Sequence, residues 1–259
     1  MTGWRGRLGV VVPSSNTTAE PEFTAWTPDG VEAYAARMSL SSVTVEELDA
    51  MSDDAERAAE LLGDADVDAV AYACTTGSLL HGPGFDAELE ATLRDAADAP
   101  AVATARSVDR ALSALDAEQL AVVTPYAAEL DEREASYLTE LGYEIEAING
   151  RGLVSNAAIG RLSATDAYEH VREVVDGLPA TGAGDGAEVP PDVDAVFVSC
   201  TNYRTLDVVD ALESDLGVPV VSSNGATLWD ALDRLGVVSD CLPGALGSLD
   251  PESTTAEGS

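Results

Sequence analysis

Lysine is absent from this chain of 259 residues, and all thirteen basic side chains are arginine. That excludes Schiff-base chemistry on a carbonyl substrate or on pyridoxal phosphate, which needs a lysine amine. It also excludes a Walker A phosphate loop, which requires Gly-Lys-Ser/Thr. Cysteine and histidine are almost as scarce, at three and two. Cys74, Cys200 and Cys241 show no CxxC spacing. With only His81 and His170 beside them, they support neither a zinc site nor a disulfide framework. No GxSxG elbow occurs, although a Ser-His-Asp triad in another frame stays open. No apolar run approaches the roughly 20 residues that span a bilayer. The first apolar stretch is too short and too soon interrupted for a signal peptide. The expectation is a soluble, cytoplasmic protein.

What the chain has in excess is carboxylate. Its 47 acidic residues give a formal net charge of -34. Nucleic acid and anionic membrane surfaces are excluded as partners, because such a field repels them. The acids are spread along helical stretches such as SDDAERAAELLGDADVDA rather than gathered in a tail. That pattern reads as a whole acidic surface and a halophilic adaptation, in which dense carboxylates keep a protein solvated at molar salt. Each Asp and Glu is first a solvated face, so none is assigned a catalytic role.

Short apolar runs alternate with helical ones. LGVVVP (8–13), VEAYAARMSL (31–40), VDAVAYAC (67–74) and PAVATA (100–105) read as strands. LEATLRDAAD (89–98) reads as a helix, and so does SVDRALSAL (107–115), with Ser107 as N-cap. The series then restarts. LAVVTP (120–125) matches LGVVVP, VDAVFVSC (193–200) matches VDAVAYAC, and PVVSSNGATLWDALDRL (219–235) matches PAVATARSVDRALSAL as proline, strand, loop and helix. Between them come a helix closed by Gly142, the strand YEIEAING, and a helix capped by Ser163 or Thr165. Pro13 and Pro125 stand 112 residues apart, Cys74 and Cys200 126, and Pro100 and Pro219 119. Near-equal separations in one order indicate an internal duplication.

The expected fold is α/β: two pseudo-symmetric lobes, each a short, mostly parallel sheet flanked by helices. The lobes are placed at 1–116 and 117–245, with the C-terminal part able to cross back to the first. A surface insertion is expected at 178–192 and a disordered tail at 246–259. In such sheets ligands bind beyond the strands' carboxyl ends. PSSNTT, Cys74-Thr75, Pro125-Tyr126 and Cys200-Thr201 all sit there, facing one another across a cleft if the halves are related by a pseudo-two-fold.

One cysteine in an apolar strand reads as a small buried hydrophobe. Two copies, each before Thr at the same strand end of a duplicated frame, read as function. Backbone N–H groups of a following helix or turn are expected to lower the thiol pKa and to hold a carboxylate or enolate oxygen. Cys241 lacks that context and reads as structural. Singly, Asn16 reads equally as an Asx-turn residue, Asn156 as a cap and Tyr126 as a packed aromatic. Neither histidine is assigned to catalysis, and Arg204 reads either as a carboxylate partner or as helix surface.

VVPSSNTTAEPEF, YACTTGS, TPY, GLVSNAAIGR and SCTNYRT, in this order over residues 8–206, resemble the maleate cis-trans isomerases of the aspartate/glutamate racemase superfamily. The resemblance implies a site between two lobes without metal or organic cofactor. It implies Cys74 as nucleophile, forming a succinyl-cysteine, and Cys200 as the opposing acid/base. Asn16, Tyr126 and Asn156 would position carboxylates, with Thr75, Thr76, Thr201 and Asn202 completing two pockets for a small dicarboxylate. It also implies a homo-oligomer, a dimer or higher. Three alternatives stay open: a cysteine-pair amino-acid racemase, an arylmalonate decarboxylase-like enzyme, and a small-anion binding protein without chemistry. The pair of thiols argues against the decarboxylase, and the lack of an export signal against the binding protein.

Overall fold

A computed structural model describes residues 4–52, 54–178 and 193–249. The first half runs β1 (Gly6–Pro13), α1 (Ala19–Trp26), β2 (Val31–Met38), α2 (Val45–Ser52), α3 (Ala55–Gly63), β3 (Ala69–Tyr72), α4 (Thr75–Leu79), α5 (Phe85–Ala97), β4 (Ala101–Ala103) and α6 (Thr104–Ala114). The second runs β5 (Gln119–Thr124), α7 (Ala128–Glu140), β6 (Glu144–Gly150), α8 (Asn156–Ile159), α9 (Ala164–Asp176), β7 (Ala195–Val198), a 3₁₀ turn (Leu206–Val208), α10 (Val209–Leu216), β8 (Val220–Ser222), α11 (Ser223–Arg234) and α12 (Gly244–Gly247).

Two four-stranded sheets result, ordered β2-β1-β3-β4 and β6-β5-β7-β8. Every pairing between named strands is parallel. The common order is the structural form of the sequence repeat. Val10 stands level with Ala35 and Ala71 in the first sheet, and Val122 with Ile148 and Phe197 in the second. The central strands are buried on both faces, which is why they read as unbroken apolar runs. The edge strands β2 and β6 expose charged positions such as Arg37 and Glu144, which discourages pairing with another chain.

The halves share their interior. Leu8, Val10 and Val12 of β1, Leu120 and Val122 of β5, Val108 and Leu112 of α6, and Leu228 and Trp229 of α11 belong to one apolar cluster. Helix α11 packs on α6, β3 and β4. A buried ionic network ties the same helices: Arg110 of α6 meets Glu90 of α5 at 2.8 Å and Asp230 of α11 at 2.5 Å.

Three expectations need correction. Ser107 is not an N-cap. Helix α6 starts at Thr104 directly after β4, and Ser107 is buried inside it, donating to Asp230 Oδ2 at 2.8 Å. SSNG is not a loop either: Ser222 caps α11 by accepting from Gly225 N at 3.0 Å, so these residues form its first turn. Ser163, by contrast, caps α9 through a capping box with Asp166, as expected. The polar tail does not begin at 246, because Leu246 is buried in the shared cluster and Leu249 packs on it. The rest of that tail, 250–259, and positions 179–192 of the insertion lie outside the described residues. The two expected sheets are present and parallel throughout.

Candidate active site

The carboxyl ends of β1, β3, β5 and β7 converge on one small pocket between the sheets. All nine residues singled out from the sequence line it: Asn16, Cys74, Thr75, Thr76, Tyr126, Asn156, Cys200, Thr201 and Asn202. Pro13, Leu40 and Val43 complete the wall.

The two thiols enter from opposite lobes in different ways. Cys74 lies two residues beyond β3 in extended backbone and is the N-cap residue of α4. Its sulfur accepts the Gly77 N–H and approaches the Thr76 hydroxyl at 4.0 Å. Cys200 follows β7 with φ at +92°, a region that costs a residue with a Cβ on the order of 1–3 kcal/mol. That conformation lets its own N–H reach Ser223 Oγ at 3.0 Å while its sulfur accepts the Asn202 N–H at 3.4 Å. The Tyr126 phenol is hydrogen-bonded to the Cys200 sulfur.

The expectation of lowered thiol pKa values is not met. Burial pushes Cys74 up to about 11 and Cys200 up to about 12, outweighing the N–H donors. Removing water from a small pocket disfavours the anion more than one or two donors restore. Burial also raises the Tyr126 phenol well above its ordinary value. Both cysteines therefore carry their protons at neutral pH.

The remaining polar residues hold the lobes together at the pocket's edge. Asn16 Oδ1 accepts the N–H groups of Thr18 and Ala19, so it is a turn residue as well. Its amide Nδ2 is thereby turned to Thr201 Oγ1, at 3.0 Å. Thr201 in turn donates to the Ala73 carbonyl at 3.0 Å, directly before Cys74. Asn202 Nδ2 donates to Asn156 O and Oδ1, and Asn156 Nδ2 donates to Ser15 Oγ. Thr75 Oγ1 donates to Ser223 Oγ at 2.8 Å, the same oxygen that accepts the Cys200 N–H. Ser223 thus couples the two cysteine segments. Gly160 is forced to lack a side chain, because a Cβ there would stand 2.5 Å from Thr17 Oγ1 and 2.9 Å from Asn202 Oδ1.

Residues not singled out for chemistry lie elsewhere. Cys241 is half-buried and donates to the Trp26 carbonyl. His81 is exposed against Asp49, and His170 bonds Asn149 while burial pushes its pKa down to about 4. Arg204 is half-exposed and pairs loosely with Asp207 at 3.9 Å, outside the pocket. Sequence reasoning missed Ser223, Leu40 and Val43. Ser223 had a usable signal, since it follows β8 at the carboxyl end of the sheet. Leu40 and Val43 had none: they sit on the irregular segment after β2, held by Val43 N–H to Val154 O at 2.8 Å and a bridge between Ser42 and Ser155. Among the described residues, no group of three His, Cys, Asp or Glu is placed to hold a metal, and no helix is long and apolar enough to cross a membrane.

The sequence model of the arylmalonate decarboxylase family matches residues 8–246. A maleate isomerase of Pseudomonas putida is 32% identical over 252 residues, covering 92% of this chain and 95% of the relative. An arylmalonate decarboxylase of Bordetella bronchiseptica is 28% identical, covering 95% of this chain and 97% of that one. Among solved structures, a cysteine-to-serine variant of the Nocardia farcinica maleate cis-trans isomerase, carrying a covalently bound succinylcysteine intermediate, superposes with a TM-score of 0.84. It is 27% identical and the match covers 95% of this chain and 99% of that one.

Proposed function

The chain belongs to the arylmalonate decarboxylase family, and from that premise and its likeness to a maleate isomerase we propose that it isomerises maleate, or a closely related small unsaturated dicarboxylate, to fumarate. The observation that carries the reading is the meeting of two thiols from opposite lobes in one small polar pocket. Maleate is already electron-poor at its double bond, so thiol addition needs no metal or organic cofactor.

Cys74 acts as the nucleophile. Its proton passes to solvent as substrate enters, the thiolate bonds to one olefinic carbon, the π pair moves toward the carboxylate on the other, and the Cys200 thiol protonates that second carbon. The product is a succinyl group on Cys74 with a single bond free to rotate. Cys200 then removes the proton, the double bond re-forms as the carbon–sulfur bond breaks, and fumarate leaves. Cys200 suits the acid role because burial of its sulfur keeps its proton at hand, while the Tyr126 phenol, donating to that sulfur, stabilises the thiolate left once the proton is given up. The first-turn N–H groups of α4, which lack intrahelical acceptors, and the side chains of Asn16, Tyr126 and Asn156 hold the carboxylates. Several of those donors are bonded to each other, so substrate has to displace the links between Asn16 and Thr201 and between Asn202 and Asn156.

Decarboxylation of an arylmalonate, the other activity named in the family, is disfavoured by the second thiol. The acidic surface supports halophilic adaptation, and a cytoplasmic homo-oligomer completes the proposal. Proton NMR of maleate with purified protein, in molar potassium chloride and reductant, tests it: fumarate should accumulate with the wild type and not with Cys74→Ala. Undiminished turnover by Cys74→Ala would remove the nucleophile assignment, and no turnover by folded wild type would remove maleate as substrate.

A further inference from the structure

Three buried side-chain atoms among the described residues have no hydrogen-bond partner: Tyr72 Oη, Glu134 Oε2 and Asn224 Oδ1. Tyr72 is the one beside the nucleophile. It lies two residues before Cys74, at the end of β3, and its side chain is fully buried. A Cβ on Gly77 would stand 2.6 Å from Tyr72 Oη and 3.1 Å from Cys74 Sγ, with Met51 Cε at 2.9 Å. The phenol and the thiol therefore face each other across the bare Cα of Gly77. Phenylalanine would fill the same apolar space without stranding a hydroxyl, so packing alone gives no reason for the oxygen.

The other thiol shows what such an oxygen does. Cys200 has a backbone N–H donor from Asn202 and a phenol donor from Tyr126. Cys74 has the backbone donor, from Gly77, and a phenol that is near but unengaged. A neutral thiol is a weak acceptor, whereas a thiolate draws a short, charge-assisted hydrogen bond. Tyr72 is thus a phenol that Cys74 has beside it and does not engage while protonated, although Cys200 engages its own.

We propose that Tyr72 is a positioning residue for the reaction, donating its phenol hydrogen bond to Cys74 Sγ whenever that sulfur carries negative charge, both in attack and in departure of the product. The role rests on the reading of Cys74 as nucleophile, but its physical core, the stabilisation of the thiolate, can be measured without substrate. A hydrogen bond to a charged group is worth enough to move a thiol by about one pH unit or more.

The experiment compares wild type with Tyr72→Phe. Peptide mapping by mass spectrometry follows iodoacetamide alkylation of Cys74 against pH, with Cys200 and Cys241 as internal references. Thermal unfolding checks the fold, and turnover gives kcat and KM. We expect Tyr72→Phe to fold at least as stably as wild type, because it removes an unsatisfied oxygen. The Cys74 alkylation midpoint should rise by about one unit, the Cys200 profile should stay in place, and kcat should fall about tenfold with KM unchanged. An unchanged Cys74 midpoint would overturn the inference, whether or not kcat fell. If maleate proved not to be a substrate, a shifted Cys74 midpoint would still sustain the contact with Tyr72, so the two failures are distinguishable.

Discussion

At the scale of single residues, burial decides the chemistry. Glu134 has no exposure, accepts from Ser199 Oγ at 2.6 Å with one oxygen and leaves the other unpaired. Burial raises its pKa to about 8, with Asp131 adding repulsion, and Tyr126 and Cys200 are close enough to feel its charge. The folded state holds this proton more tightly than the unfolded chain does. Stability from Glu134 is therefore greatest below its ordinary pKa and falls as pH rises toward 8, by up to about 1.4 kcal/mol per unit. Glutamine keeps the acceptor for Ser199 and cannot ionise. Glu134→Gln should match wild type at pH 5 and exceed it at pH 8 by on the order of 2 kcal/mol in urea unfolding. An equal gap at both pH values would mean the carboxyl does not titrate in this range. Composition hid this residue among 47 acids, since nothing in AAELDEREASYL separates a buried glutamate from its solvated neighbours. Cysteine was legible for the opposite reason: with three in the chain, two at matched strand ends stand out.

At the scale of elements, the repeat was legible because parallel strands buried on both faces leave little but Val, Ala and Leu to write them with. VDAVAYAC and VDAVFVSC became β3 and β7, paired alike with β1 and β5. Helix starts were less legible. Ser107 resembles a cap in isolation, but Asp230 across the lobe interface claims its hydroxyl, a tertiary contact no local pattern reports. Helix ends show a difference between the halves. After α7, α10 and α11 the left-handed position is held by Gly142, Gly217 and Gly236. After α3, α5 and α6 it is held by Asp66, Asp98 and Asp116, with φ of 58°, 52° and 52°. An aspartate there bears backbone strain and sets a negative charge at the negative end of the helix. Asp116→Gly should therefore stabilise the protein by about 0.5–1 kcal/mol, read as a higher thermal midpoint. A lower midpoint would show that Asp116 makes a compensating contact.

At the scale of the molecule, two opposed demands meet: a dianionic substrate has to reach a pocket inside a body of charge -34. At 1 M salt the screening length is about 3 Å, against about 10 Å at 0.1 M, so repulsion among surface carboxylates and toward substrate largely vanishes. The thermal midpoint should rise between 0.1 M and 2 M potassium chloride and KM for maleate should fall; a flat response in both would contradict the salt-adapted surface. Inside that surface the shared core, the Arg110 network and the links through Thr201, Asn202 and Ser223 keep the two lobes in register, so the thiols face each other. The measurement that tests this most directly is covalent trapping. Cys200→Ser and Cys74→Ser are each incubated with maleate in molar salt, quenched in acid and mapped by mass spectrometry. The account predicts a succinyl adduct on Cys74 in Cys200→Ser, and neither adduct nor turnover in Cys74→Ser. An adduct on Cys200, or fumarate formed by Cys74→Ser, would contradict it.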